Sequence, residues 1–186
     1  MLACKHGHTA IARLLIDARA EVDTFNEEHK IALMFACQNG HAPVARLLID
    51  AGAYVNAITI NGMTALMWAS GEGHYHVINL LIASGAHVNS QDAEGKTALM
   101  FACKNGHEES AYLLLEHGAN IDLKDNYNHS ALERASDAKA DAIVDMIKTA
   151  HTADRLLAKK DIGAVKAGQE ELFISRIAHK LVQHFD

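Results

Sequence analysis

The chain has 186 residues, 49% apolar and 22% charged, with a net charge of −6, one proline and 12 glycines. This composition excludes a disordered or proline-rich chain, because enough apolar side chain is present to offset the entropy of ordering the backbone. The acidic residues are dispersed, which argues against nucleic acid as a partner, and no apolar run reaches the ~20 residues of a membrane helix, which argues against a membrane. Three cysteines in a chain this long suit a reducing compartment better than a disulfide-stapled secreted scaffold, so an intracellular, cytoplasmic setting is expected. Aromatics are only 5%, and alanine and leucine abound, which favours packed helices over strands. Met1-Leu2-Ala3-Cys4 faintly matches a lipoprotein cleavage site. No charged leader or apolar segment precedes it, so no processing there is expected.

A period of 33 residues organises the chain: Gly-His recurs at Gly7-His8, Gly40-His41, Gly73-His74 and Gly106-His107. A leucine pair recurs at Leu14-Leu15, Leu47-Leu48, Leu80-Leu81 and Leu113-Leu114, and methionine at Met1, Met34, Met67 and Met100. In chain order the copies fall at about 1–25, 26–58, 59–91, 92–124 and 125–150. The first is truncated, since Met1 aligns with Met34. Either the chain opens on a half-repeat or the sequence is a fragment of a longer product. Arg19 stands in it where other copies carry the glycine that ends the second helix. In the second copy Ile31 replaces a capping threonine and His29 a finger glycine. The third carries an apolar finger, Ala57-Ile58-Thr59-Ile60-Asn61-Gly62-Met63.

The fourth copy is the most regular. Thr97 is predicted to cap a first helix that Gly106 ends in a left-handed conformation. A second helix follows from about Glu108 to Glu116, then a polar turn from Asn120 to His129. The fifth copy is weaker, with Ser130-Ala131-Leu132 in phase with Thr97-Ala98-Leu99 and Met146-Ile147 in place of the leucine pair. One such unit cannot bury its apolar face, whereas stacked neighbours can. Residues 151–186 lose the period and read as helix, with Phe173, Ile177, Leu181 and Phe185 in a stripe. They are expected to form a C-terminal cap, or else a docking helix for a partner.

These residues resemble the ankyrin repeat family over about residues 1–150. The resemblance is carried by Gly-x-Thr-x-Leu at Gly62–Leu66 and Gly95–Leu99, by Gly-His at the helix junctions, and by Leu80-Leu81 followed by Gly85-Ala86-His87-Val88-Asn89. It implies an all-α-type repeat solenoid of helix–turn–helix units with β-hairpin fingers. It also implies that the junction histidine bonds backbone between repeats, and that the first-helix face and the fingers line a concave groove. The family's Thr-Pro-Leu-His is replaced by Thr64-Ala65-Leu66-Met67 and Thr97-Ala98-Leu99-Met100, so methionine packing is expected to substitute for a Thr–His hydrogen bond. The implied function is a non-catalytic protein–protein interaction scaffold. The alternative is a targeting or inhibitory module belonging to a larger enzyme or effector.

Catalytic and metal chemistry find no support in the spacing. Cys4, Cys37 and Cys103 occupy one repeat position, and adjacent stacked copies lie ~10 Å apart, so these thiols are too far from one another to share a metal or a disulfide. No nucleophile–base motif or phosphate-cradling loop occurs, so neither an enzyme nor a cofactor is expected. The binding candidates are Phe35 and Asn39, Trp68 and Glu72, and Phe101, Lys104 and Asn105 on the first helices, with Ile58, Ile60, Met63 and Tyr127 on the fingers. The rings either anchor a protein partner or pack sideways on one another. The apolar finger either makes a contact or packs on its neighbours. A monomer is expected.

Overall fold

A computed structural model of the chain describes residues 1–160, with side chains through Thr152. The stripe from Phe173 to Phe185 lies outside the described residues. The first copy contains α1 (Leu2–Lys5) and α2 (Thr9–Asp17), and the second α3 (Ala32–Gln38) and α4 (Ala42–Asp50). The third contains α5 (Ala65–Gly71) and α6 (Tyr75–Ala83), the fourth α7 (Ala98–Asn105) and α8 (Glu108–Glu116), and the fifth α9 (Ala131–Asp137) and α10 (Asp141–Lys160). First helices stack on first helices and second helices on second helices, giving a two-layer solenoid with the core between the rows. The fingers are tight turns, two of them closed by single bridges, Phe25–Ile31 and Ile58–Thr64. Each second helix from α2 to α8 has nine residues, whereas α10 has 20 and crosses residue 151 without a break.

The helices begin where the sequence offers caps. Thr97 Oγ1 accepts from Met100 N at 3.3 Å, and Thr64 Oγ1 accepts from Met67 N at 3.2 Å. Met67 Sδ in turn accepts from Thr64 N at 3.5 Å, so methionine takes over part of the role a histidine would have had. Ile31 caps nothing. Ser130 N donates to the Glu133 carboxylate at 2.6 Å, so the fifth copy starts on a capping box. Arg19 and His29 both adopt φ 59°, as their alignment with glycines requires, and Asn128 (φ 65°) and Lys139 (φ 56°) do the same in the fifth copy.

Between copies three series of contacts recur one period apart. His41 Nε2 lies 3.1 Å from Lys5 O, His74 Nε2 3.1 Å from Gln38 O, and His107 Nε2 2.9 Å from Gly71 O. Backbone amides link successive fingers, Ile60 to Glu28 O at 3.2 Å, Ala93 to Asn61 O at 2.9 Å and Asn126 to Glu94 O at 2.8 Å. A third series runs from backbone amides to side chains. Tyr54 N donates to Asp23 Oδ1 at 3.0 Å, His87 N to Asn56 Oδ1 at 2.8 Å and Asn120 N to Asn89 Oδ1 at 2.7 Å. Beneath these lie Leu33, Met34, Val44, Leu66, Met67, Val77, Leu99, Met100 and Leu114, all fully buried.

Candidate protein-binding surface

The residue after each methionine points along the first-helix row. Phe35, Trp68 and Phe101 take these places, and all three are half-buried. Trp68 and Phe101 pack against the core. One face of Trp68 is covered, because Lys30 Nζ sits 4.1 Å from its ring centroid and 5.7 Å from that of Phe35. The stacking is a cation–π contact, and it buries most of the Lys30 side chain. The Trp68 indole Nε1 is buried and has no hydrogen-bond partner. The rings therefore lie partly between the repeats, and the row is less open than the sequence pattern alone conveys. In the fifth copy Arg134 stands at the aromatic position.

Around the rings, Asn39, Glu72, Lys104 and Asn105 are exposed. Two of them are held by backbone: Asn39 Nδ2 donates to Phe35 O at 2.8 Å, and Asn105 Nδ2 to Gly71 O at 2.5 Å. Glu72 and Lys104 give this face one charge of each sign.

The fingers explain their own tips. In the second, fourth and fifth copies an amide or carboxylate oxygen closes the turn. Asn26 Oδ1 accepts from Glu28 N and Lys30 N, Asp92 Oδ1 from Glu94 N and Lys96 N, and Asp125 Oδ1 from Tyr127 N and His129 N. In the third copy the buried Thr59 fills this place, its Oγ1 accepting from Met63 N at 3.1 Å. With one hydroxyl closing the turn, the neighbouring positions need no polar side chain. Ile58 and Ile60 are exposed there, while Met63 is half-buried against the core. Phe25 occupies the Ile58 position one copy earlier and is also exposed. The period pointed to it, though it was not among the candidates. Exposed carboxylates Glu21, Asp23, Glu27 and Glu28 accompany it on that finger. Tyr127 is exposed two fingers away from Ile60, so it does not join this patch.

Tyr127 is presented by a rigid turn. The Asp125 carboxylate is fully buried and receives Arg134 Nε at 3.1 Å as well as Arg134 Nη2. Burial pushes its carboxyl up, but Arg134 and the two backbone amides outweigh this and hold it below the usual carboxylate range. The cysteines are free and buried, and burial pushes their thiols up, that of Cys103 to about 12. Such thiols are poor nucleophiles. Among the described residues no group of three or more metal-ligating side chains converges, and no helix is long and apolar enough to cross a membrane.

Helix pairs stacked in phase, each followed by a bonded finger, define a repeat solenoid whose stability comes from neighbour interfaces. The family model for ankyrin repeats, which comprises three copies, matches residues 1–92 and again residues 79–155. The chain belongs to the ankyrin repeat family. No curated protein matches it.

Proposed function

We propose that this chain is a non-catalytic scaffold that binds a protein partner through its finger tips and the adjoining first-helix face. Ankyrin repeats are generally protein–protein interaction modules. The observation that carries the reading here is the pair Ile58 and Ile60, branched apolar side chains held in solvent on a turn that Thr59 fixes from within. A rigid apolar projection loses little entropy on docking, which is what an interface anchor requires. Phe25 extends the patch to the next finger, and Asn39, Glu72, Lys104 and Asn105 supply a polar margin.

Affinity capture with quantitative mass spectrometry tests the reading. Wild type is compared with an Ile58→Asp/Ile60→Asp variant and with an Asn79→Asp variant on the outer helix row. A protein retained by wild type and Asn79→Asp but lost with the finger variant is the expected result. Loss with Asn79→Asp alone would move the interface to the second helices.

A further inference from the structure

The N-terminal end of the stack presents an open repeat interface. We propose that this face receives one more ankyrin-type repeat, stacked in phase with the five described. The positions this face shares with the other copies are covered there by a preceding repeat, and they lie apart from the exposed finger of the third copy. Ile11 is 49% exposed and Leu15 47%, whereas their counterparts Val44, Val77 and Ile143, and Leu48, Leu81 and Leu114, are at most 3% exposed. Leu14 is 68% exposed, whereas Leu47 is half-buried and Leu80 and Leu113 are 6% and 3% exposed. A terminal repeat that faces water carries a polar outer side, and this one is apolar.

Three polar groups on this face hold places whose counterparts bond the preceding copy. His41, His74 and His107 each engage a carbonyl 36 residues earlier in the chain. His8 is the fourth member of the series, and its ring makes no hydrogen bond among the described residues. Ile60, Ala93 and Asn126 donate their amides to the preceding finger, and Glu27 holds the equivalent place. Tyr54, His87 and Asn120 donate to an Asp or Asn side chain of the preceding copy, and Glu21 holds that place. One surface thus offers an apolar helix face, a histidine facing a carbonyl's place and two amides, and each of these polar contacts recurs at three downstream interfaces. The occupant this describes is the outer side of another repeat. A second copy of the chain fits poorly. Its last unit ends on the 20-residue α10, where the matching helix has nine residues. Two N-terminal faces brought together would set His8 against histidine, with no carbonyl between them.

The test extends the full chain with a duplicate of its own residues 67–99, joined directly ahead of Met1. This places the duplicated Gly71 carbonyl 36 residues before His8 and the duplicated Thr97 at the cap of α1. The expected results are a higher denaturation midpoint and amide exchange across Ile11–Ile16 slowed at least tenfold, towards that of Val44–Ile49. Ile11→Arg should be near neutral in the original chain and should abolish both gains in the extended one. Unchanged exchange in the extended chain, or an equal cost of Ile11→Arg in both chains, would overturn the proposal. So would concentration-dependent oligomers of the original chain in sedimentation that Ile11→Arg dissolves, because a second copy would then be the occupant.

Discussion

Replacing Gly73 by alanine should cost far more than replacing Gly106, although the two occupy one repeat position. Both have a left-handed backbone, with φ 76° and 71°. An alanine in that region costs about 1 kcal/mol, and this term is common to both. The surroundings differ. A Cβ on Gly73 would lie 2.6 Å from Nδ1 of the His107 ring, whereas one on Gly106 would meet nothing within 4 Å. The reason is in the next copy, where Ala140 stands in place of histidine. Relieving the Gly73 clash means moving a ring whose Nε2 is 2.9 Å from Gly71 O. Loss of that hydrogen bond costs about 1 kcal/mol, and overpacking adds roughly another 1 kcal/mol. The totals are about 3 kcal/mol for Gly73→Ala and about 1 kcal/mol for Gly106→Ala. Equilibrium urea denaturation, with amide exchange to follow α6 and α8 separately, measures both. Equal losses would refute the reasoning, because backbone strain alone would then account for the glycine.

Other perturbations separate the remaining interactions. Arg19→Gly and Lys139→Gly should each stabilise by about 1 kcal/mol, since both side chains sit on a left-handed backbone; a lower midpoint in urea would contradict this. Asp125→Asn should keep the turn, as Asn26 does, but lose the Arg134 pair at a cost of about 2 kcal/mol at neutral pH. The folded carboxyl lies below its ordinary 3.8, so this contribution is complete above about pH 4 and is lost as pH falls through the folded value. Midpoints of wild type and variant should therefore converge in acid, and a gap that persists there would contradict the charge-based origin. Trp68→Ala should destabilise by roughly 2–3 kcal/mol, because the ring packs on the core and carries Lys30. Ile58→Asp should change stability by less than about 0.5 kcal/mol. Thermal denaturation distinguishes the two, and a cost-free Trp68→Ala would show that the ring is not structural.

The spacing of repeated residues made the helices and their caps legible, because residues one period apart share the same neighbours, and the histidine contacts followed from the resemblance to the ankyrin repeat. Thr97 and Gly106 could be read this way, as could the buried methionines. What the period could not convey was contact between residues at unlike positions. Lys30 over Trp68 joins a finger to a helix 38 residues later, and nothing in either segment marks the pair. The Asp125–Arg134 pair arises only where arginine replaces an aromatic. Thr59 was hidden by chemistry, since a hydroxyl fills a place held elsewhere by Asn or Asp. Lys139 and Asn128 could have been found by counting 33 residues on from Gly106 and Gly95. The exposure of Phe25 was equally open to counting back from Ile58. Of the candidate finger residues, Ile58, Ile60 and Tyr127 are exposed, whereas Met63 is half-buried against the core. For the ring row the period leaves both an open and a packed arrangement possible, because exposure depends on the neighbouring copy; all three rings are half-buried.

Hydrogen exchange of the complex with the captured partner, compared with the free chain, tests the binding surface most directly. Slowed exchange at residues 57–63 of the third-copy finger and at 25–30 of its neighbour, with α5 at their base, is expected of a finger-and-groove interface. Protection confined to the outer row, α4, α6 and α8, with the fingers unchanged, would contradict it.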